Sequence, residues 1–117
     1  MQVLVNCDDQ IVRDEALVRR VEGVIVGALE RFGNRIARVE ASLRDLNSAN
    51  SADRDKICSV AVQIEGSGAQ VSVSDEAMTL AAAIHNAADK LRRMVARELQ
   101  QLDEALATDG DPAAPVS

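Results

Sequence analysis

The chain has 117 residues, 47% of them hydrophobic and 27% charged, which fits one domain. A domain of this size buries about two-thirds of its unfolded surface and needs no metal or disulfide as a staple. Phe32 is the only aromatic and His85 the only histidine, which speaks against base-stacking RNA-recognition sheets, catalytic triads and multi-histidine zinc sites. No apolar run approaches the roughly 20 residues of a membrane span, and the N-terminus has no signal-peptide pattern. The expectation is a cytoplasmic, non-enzymatic protein with no metal, no cofactor, no small-molecule substrate and no membrane contact.

Residues 2–7 (QVLVNC) are apolar and β-branched and stop at an acidic pair, which predicts a first strand. From about Asp14 to Phe32, Leu17, Val21, Val24, Ile25, Ala28 and Phe32 recur at three- and four-residue intervals along one side of a helix. Asp14 and Glu15 complement its dipole, and Gly33-Asn34 supplies a left-handed stop. A second strand follows over about 35–47, with Val39, Ala41 and Leu43 pointing one way and Arg38, Glu40, Ser42 and Arg44 the other. Residues 47–55 (NSANSADRD) read as a surface loop. Cys58, Val60, Val62 and Ile64 then alternate with polar or small residues in a third strand. Gly66-Ser67-Gly68 turns the chain into a short fourth strand over about 70–74. The last element is a long helix over about 76–106, with Leu80, Ile84, Ala88, Leu91, Val95, Leu102 and Leu106 inward; residues 107–117 read as a disordered acidic tail. The order is β-α-β-β-β-α. One-faced strands and one-striped helices pack most economically as an α+β two-layer fold, a four-stranded mixed sheet with both helices on one face. The opening β-α-β unit places the first strand beside a parallel partner.

The formal net charge of −6 hides an uneven distribution. Residues 1–15 carry four acids against one base and residues 98–117 five acids and no base, whereas residues 16–97 carry 12 Lys/Arg against 10 Asp/Glu. Because screening acts over about 8 Å in physiological salt, a local basic stripe still attracts phosphate. On the second helix Asn86, Lys90, Arg93 and Arg97 are spaced by four, three and four, opposite the core stripe, with Arg92 toward a flank; no acid interrupts 90–97. Cations a few ångströms apart along a stiff rod are the arrangement that tracks a phosphate backbone. The bland alternative is an ordinary solvated face. A second group, Arg38 and Arg44 on the open sheet face with Arg54 and Lys56 at the loop's end, lies among Glu40, Asp45, Asp53 and Asp55, where local ion pairs are an equal reading. Arg13, Arg20 and Arg31 share a flank of the first helix.

Cys7 and Cys58 lack CxxC spacing and read as small core residues. Gly23 and Gly27 on the first helix each cost about 1 kcal/mol relative to Ala, and close packing against the alanine-rich second helix, simple tolerance or a partner surface are three ways to account for them. His85 has no carboxylate–histidine motif around it, and no glycine-rich phosphate loop follows a strand.

The element order and several phrases resemble the ribosome hibernation promoting factor and ribosome-associated inhibitor family, also known as sigma-54 modulation proteins. The matching stretches are QVLVN, ALVRRVEGVIVGALERFGNRIARVEASLRDLNS, DKICSVAVQIEG and AADKLRRMVARELQQL, together covering roughly residues 2–102. The likeness is to the short, single-domain form, with one domain over 1–106. The resemblance implies a fold related in shape to double-stranded-RNA-binding domains. It also implies association with the small ribosomal subunit and its 16S rRNA in the channel used by messenger and transfer RNA, as a translation-inhibiting factor in stress. By position, the family's basic helix surface corresponds to Lys90, Arg92, Arg93 and Arg97, and its basic residue at the start of the third strand to Lys56. The alternative is a protein-interaction module on the same scaffold, with a protein partner or a second copy meeting the Gly23, Val26 and Gly27 surface or the open sheet.

Overall fold

The computed structural model describes residues 1–9, 11–46 and 55–109. Four strands, β1 (Gln2–Cys7), β2 (Ile36–Asp45), β3 (Lys56–Ile64) and β4 (Gln70–Ala77), form one sheet in the order β1-β2-β3-β4. β1 runs parallel to β2, and the other pairs are antiparallel. Two helices, α1 (Glu15–Leu29) and α2 (Leu80–Asp109), pack on the sheet, the two-layer α+β arrangement that the sequence predicts.

Local chemistry sets the boundaries. Asp14 has extended backbone and its carboxylate accepts the Leu17 N–H at 2.7 Å, so it is the N-cap of α1 rather than its first residue. α1 ends at Leu29 and passes into a 3-10 helix, Glu30–Arg35, in which Gly33 sits at φ 56°, a backbone that glycine adopts without the Cβ penalty. The Gly66 and Gly68 turn also has positive φ and is closed by the Ile64 N–H donating to the Ala69 carbonyl at 2.9 Å. Three boundaries in the C-terminal half differ from expectation. β4 runs through Ala77, because Asp75, Glu76 and Ala77 stay in register with Cys58, Ile57 and Lys56, so α2 starts only at Leu80, with the Thr79 hydroxyl accepting the Ala82 N–H. At its other end α2 continues through Asp109, past the predicted 106; the remainder of the expected tail, 110–117, lies outside the described residues, as does most of the expected 47–55 loop.

The core lies between the layers. Val39, Ala41 and Leu43 of β2, Cys58, Val60, Val62 and Ile64 of β3, and Val71 and Val73 of β4 face Val21, Ile25 and Leu29 of α1 and Ile84, Ala87, Leu91, Val95 and Leu99 of α2, all buried. A register shift between Ile36 and Arg38 turns Ile36 inward as well as Val39. Burial pushes the Cys58 thiol up to about 12, so it is an inert core group; Cys7 is half-buried against the same core. Leu106, expected on the inward stripe, is 69% exposed, because the last strongly buried α2 residue is Leu99 and the helix then runs on past the core.

Gly23 and Gly27 do not serve close helix packing. A Cβ built at either meets nothing within 4 Å. Replacing each by alanine therefore removes a backbone-entropy cost without a clash. Gly23→Ala and Gly27→Ala are each expected to raise stability by about 0.5–1 kcal/mol, read as an upward shift of the urea midpoint at constant slope.

Candidate nucleic-acid interface

α2 buries one side and presents the opposite one, and that side carries Asn86, Lys90, Arg93 and Arg97 as the spacing predicts. These cations are in different states. Lys90 leans over the edge of the sheet, where its Nζ donates to the Ser74 carbonyl at 3.0 Å and lies 3.7 Å from the Asp75 carboxylate. By occupying a carbonyl of β4, an edge strand, it also blunts that edge against pairing with another chain. Arg92, on the flank toward α1, donates to the Asp89 carboxylate at 3.0 Å, one helical turn back. Arg93 and Arg97 are exposed and make no ion pair or side-chain hydrogen bond among the described residues. Arg97 borders a cleft of about 350 Å³ between α2 and β4, shared with Gln70, Ser72, Met94, Gln101 and one acid, Glu98.

The second group is elsewhere. Arg38 and Arg44 project from the sheet face that neither helix covers, so the structure does not bring them together with the α2 ridge. Arg38 reaches to 4.0 Å from Glu40, whose other oxygen accepts from the Asn6 side chain at 2.9 Å. Arg44 is exposed and makes no ion pair among the described residues. Around them the open face is polar and low: Asn6, Ser42, Ser59 and Ser74 are in register across all four strands, with the Ser59 and Ser74 hydroxyls 3.0 Å apart.

Lys56 is a clamp. Its ammonium sits 2.9 Å from the Asp45 carboxylate and 3.1 Å from that of Asp55; these hydrogen bonds, Asp45 first, raise its pKa. Asp45 in turn donates its backbone N–H to Asp8 at 3.0 Å, so Lys56 ties together the strand ends flanking the 46–55 connection. Arg54 lies outside the described residues. On the helical side, Arg13 precedes the α1 cap and is not on the helix, Arg31 stacks 5.0 Å above the Phe32 ring, and Arg19 pairs with Glu15.

Sequence reasoning missed the acids that answer the cations. Asp89 was visible as an i,i+3 partner of Arg92. Asp75 was not, because it belongs to a strand expected to end before it. Also missed was a two-pronged contact on the far side of the molecule, where Arg35 donates to both oxygens of Asp103 at 3.0 and 2.8 Å and straps the 3-10 helix to the end of α2. Gly23, Gly27, His85, Asp89 and Arg92 line a shallow groove of about 290 Å³ between the helices. Among the described residues no group of three His, Cys, Asp or Glu is placed to hold a metal ion, and no helix is long and apolar enough to cross a membrane.

The hydrogen bonds from Arg35 hold the Asp103 carboxyl below its ordinary value of 3.8. A carboxylate depressed in the folded state contributes stability above the unfolded pKa and loses it as pH falls through the folded one. Asp103→Asn is therefore expected to lower the melting temperature at pH 7, with the gap between variant and parent narrowing as the pH falls below the ordinary carboxylate range; a gap that stays constant through acid titration would contradict the strap.

Comparison with known proteins adds the following. The family model described as Sigma 54 modulation protein / S30EA ribosomal protein matches residues 8–103. No curated protein matches the chain. Among solved structures, the Thermus thermophilus Protein Y N-terminal domain superposes with a TM-score of 0.65 at 20% identity, covering 83% of this chain and 98% of that one. A ribosomal subunit interface protein from Coxiella burnetii gives 0.62 at 14% identity, covering 85% and 99%. At these identities the structures bear on the fold.

Proposed function

We infer the function from two facts taken together: the chain belongs to the sigma 54 modulation protein / S30EA ribosomal protein family, and it keeps on the outward ridge of its last helix two arginines that make no ion pair among the described residues. It is a ribosome-associated factor of the cytoplasm that binds the small subunit through rRNA phosphates and occupies the channel of messenger and transfer RNA, repressing translation in stress. Similarity to a protein named as a ribosomal subunit interface protein supports the same reading.

The mechanism requires no bond to be made or broken. Arg93 and Arg97 lie one helical turn apart on a helix of 30 residues that is anchored along its inner side, so little side-chain positioning remains to be done on binding. Each guanidinium offers planar donors to phosphate oxygens and releases counterions when it meets them. Lys90 and Arg92 extend the ridge once phosphate replaces their carboxylate partners. On the open sheet face Arg44 is the cation available to a second RNA segment, while Arg38 holds an internal carboxylate and Lys56 two. The domain's bulk then excludes translation ligands by occupancy.

The observation that carries the reading is the pair Arg93 and Arg97, exposed and without an ion pair among the described residues, in a chain of net charge −6. Binding to purified small subunits is expected to weaken steeply with salt. Arg93→Glu/Arg97→Glu should reduce affinity by at least 100-fold and lower the slope of log K against log salt by about 1.8. Circular dichroism should be unchanged. Equal binding by variant and parent would sink the assignment.

A further inference from the structure

We propose that β1 is a pairing edge whose partner is a second copy of this chain, joined strand to strand about a two-fold axis at Val5. The proposal goes beyond the ribosomal reading and does not depend on it.

The two edges of the sheet are guarded differently. On β4, Lys90 takes up the Ser74 carbonyl, and the strand carries Asp75 and Glu76, charges that penalise an incoming strand. β1 (QVLVNC) has no charge, proline or glycine and keeps an unbroken register with β2 along its whole length. In a chain of net charge −6 two copies repel on average, and β1 is a stretch of edge where they meet without opposing acids.

The ladder fixes which groups face outward. The Asp8 N–H, one residue beyond β1, donates to the Leu43 carbonyl of β2 at 3.1 Å. In a parallel pair alternate residues bond the neighbouring strand, so Gln2, Leu4 and Asn6 share that direction. Val3, Val5 and Cys7 turn their N–H and C=O groups to the open side. β2 is the neighbour of β1 in the sheet, and among the described residues no backbone bond outside helices and strands reaches these three.

Such a set is its own complement. Turned antiparallel about Val5, the strand brings Val5 opposite the other copy's Val5 and Val3 opposite its Cys7, and each pair exchanges both hydrogen bonds. Leu4, 36% exposed on the open face, gains the other copy's Asn6 as a cross-strand neighbour, and Gln2 gains its Asp8. No like charges lie opposite along this seam. The axis stands perpendicular to the sheet, so both helical layers fall on one side of a continuous sheet. α2 packs on β3 and β4, which keeps its ridge clear of the seam. A strand of six residues spans about 20 Å, short of a standard interface, so the dimer is weak and concentration-dependent.

The test begins with sedimentation of the full chain, which should pass from monomer to dimer between about 10 μM and 1 mM. Over that range the amides of Val3, Val5 and Cys7 should exchange with solvent at least about two-fold more slowly, while those of β4 stay unchanged. Val3→Pro removes an outward donor that the fold does not use and should weaken association by about ten-fold. Leu4→Cys/Asn6→Cys should form a covalent dimer under mild oxidation, whereas Ser72→Cys/Ser74→Cys on β4 should not, with the parent and its Cys7 as the blank. A chain that stays monomeric at about 1 mM, amide slowing on β4 in place of β1, or equal crosslinking of the two cysteine pairs overturns the proposal. A monomer that binds small subunits overturns it alone and leaves the ribosomal reading standing. Circular dichroism and urea midpoints confirm that each variant is folded, and amide exchange of the parent decides the matter if one is not.

Discussion

Burial of Ile84, Leu91 and Val95 against β3 and β4 sets the direction of every charged side chain on α2. An α-helix advances 100° per residue, so fixing one side fixes the rest. Rolling α2 by a single residue would return these side chains to water at a cost of about 1.5–3 kcal/mol each, and would drive Arg92 and Asp89 toward the sheet. Anchoring on this scale outweighs any surface ion pair. Arg93 and Arg97 therefore point outward as a consequence of core packing, and no charge interaction within the protein is needed to hold them there.

Within that frame, local carboxylates decide which cations are available. The molecule is acidic overall, yet the distribution matters more than the sum at separations beyond about 8 Å, where salt screens exposed charges. Arg35 is consumed by Asp103, Lys56 by Asp45 and Asp55, Lys90 and Arg92 in part by Asp75 and Asp89. The division tracks structure. Pairs that join separate elements, such as Arg35 with Asp103 or Lys56 with the two aspartates, act as fasteners between elements whose backbones the core already positions. Among the described residues Arg93 and Arg97 on the ridge and Arg44 on the open sheet face keep no carboxylate partner.

Much of the fold was legible in the sequence because its signals were periodic. The 3.6-residue recurrence from Leu17 to Ala28 and from Ile84 to Val95, and the two-residue alternation from Cys58 to Ile64, each reflect one buried side and leave little freedom in topology. What failed were places where a long-range partner overrode a local pattern. Asp75-Glu76 looked like a helix start, since acids favour that position, but ladder pairing with Cys58 and Ile57 keeps the chain extended to Ala77. Leu106 continued the stripe in sequence, but periodicity cannot tell where the opposing core stops. The candidate site was legible as a set of residue positions and illegible as a set of charges. The ridge could be drawn from the spacing of Lys90, Arg93 and Arg97, whereas the grip of Asp75 on Lys90 depends on a strand–helix contact, and that of Asp45 on Lys56 on a cross-strand pair across the 46–55 connection.

The separation of the cations onto two sides bears on the kind of RNA surface the proposed function requires. A protein that lies along a duplex gathers its basic residues on one face, since the opposite face meets only water. Here the ridge of α2 belongs to the helical layer, while Arg44 and Arg38 project from the uncovered face of the sheet, with the core between. One flat RNA face cannot contact both. Walls on either side of the protein can, and a cleft or channel supplies them. The open face is also lined by low side chains, the Asn6, Ser42, Ser59 and Ser74 row among them, so an opposing backbone can approach the sheet closely. On the proposed reading the fold is an insert rather than a clamp, and the thickness of its two layers, set by the same packing that aims Arg93 and Arg97, becomes the dimension that matches the channel.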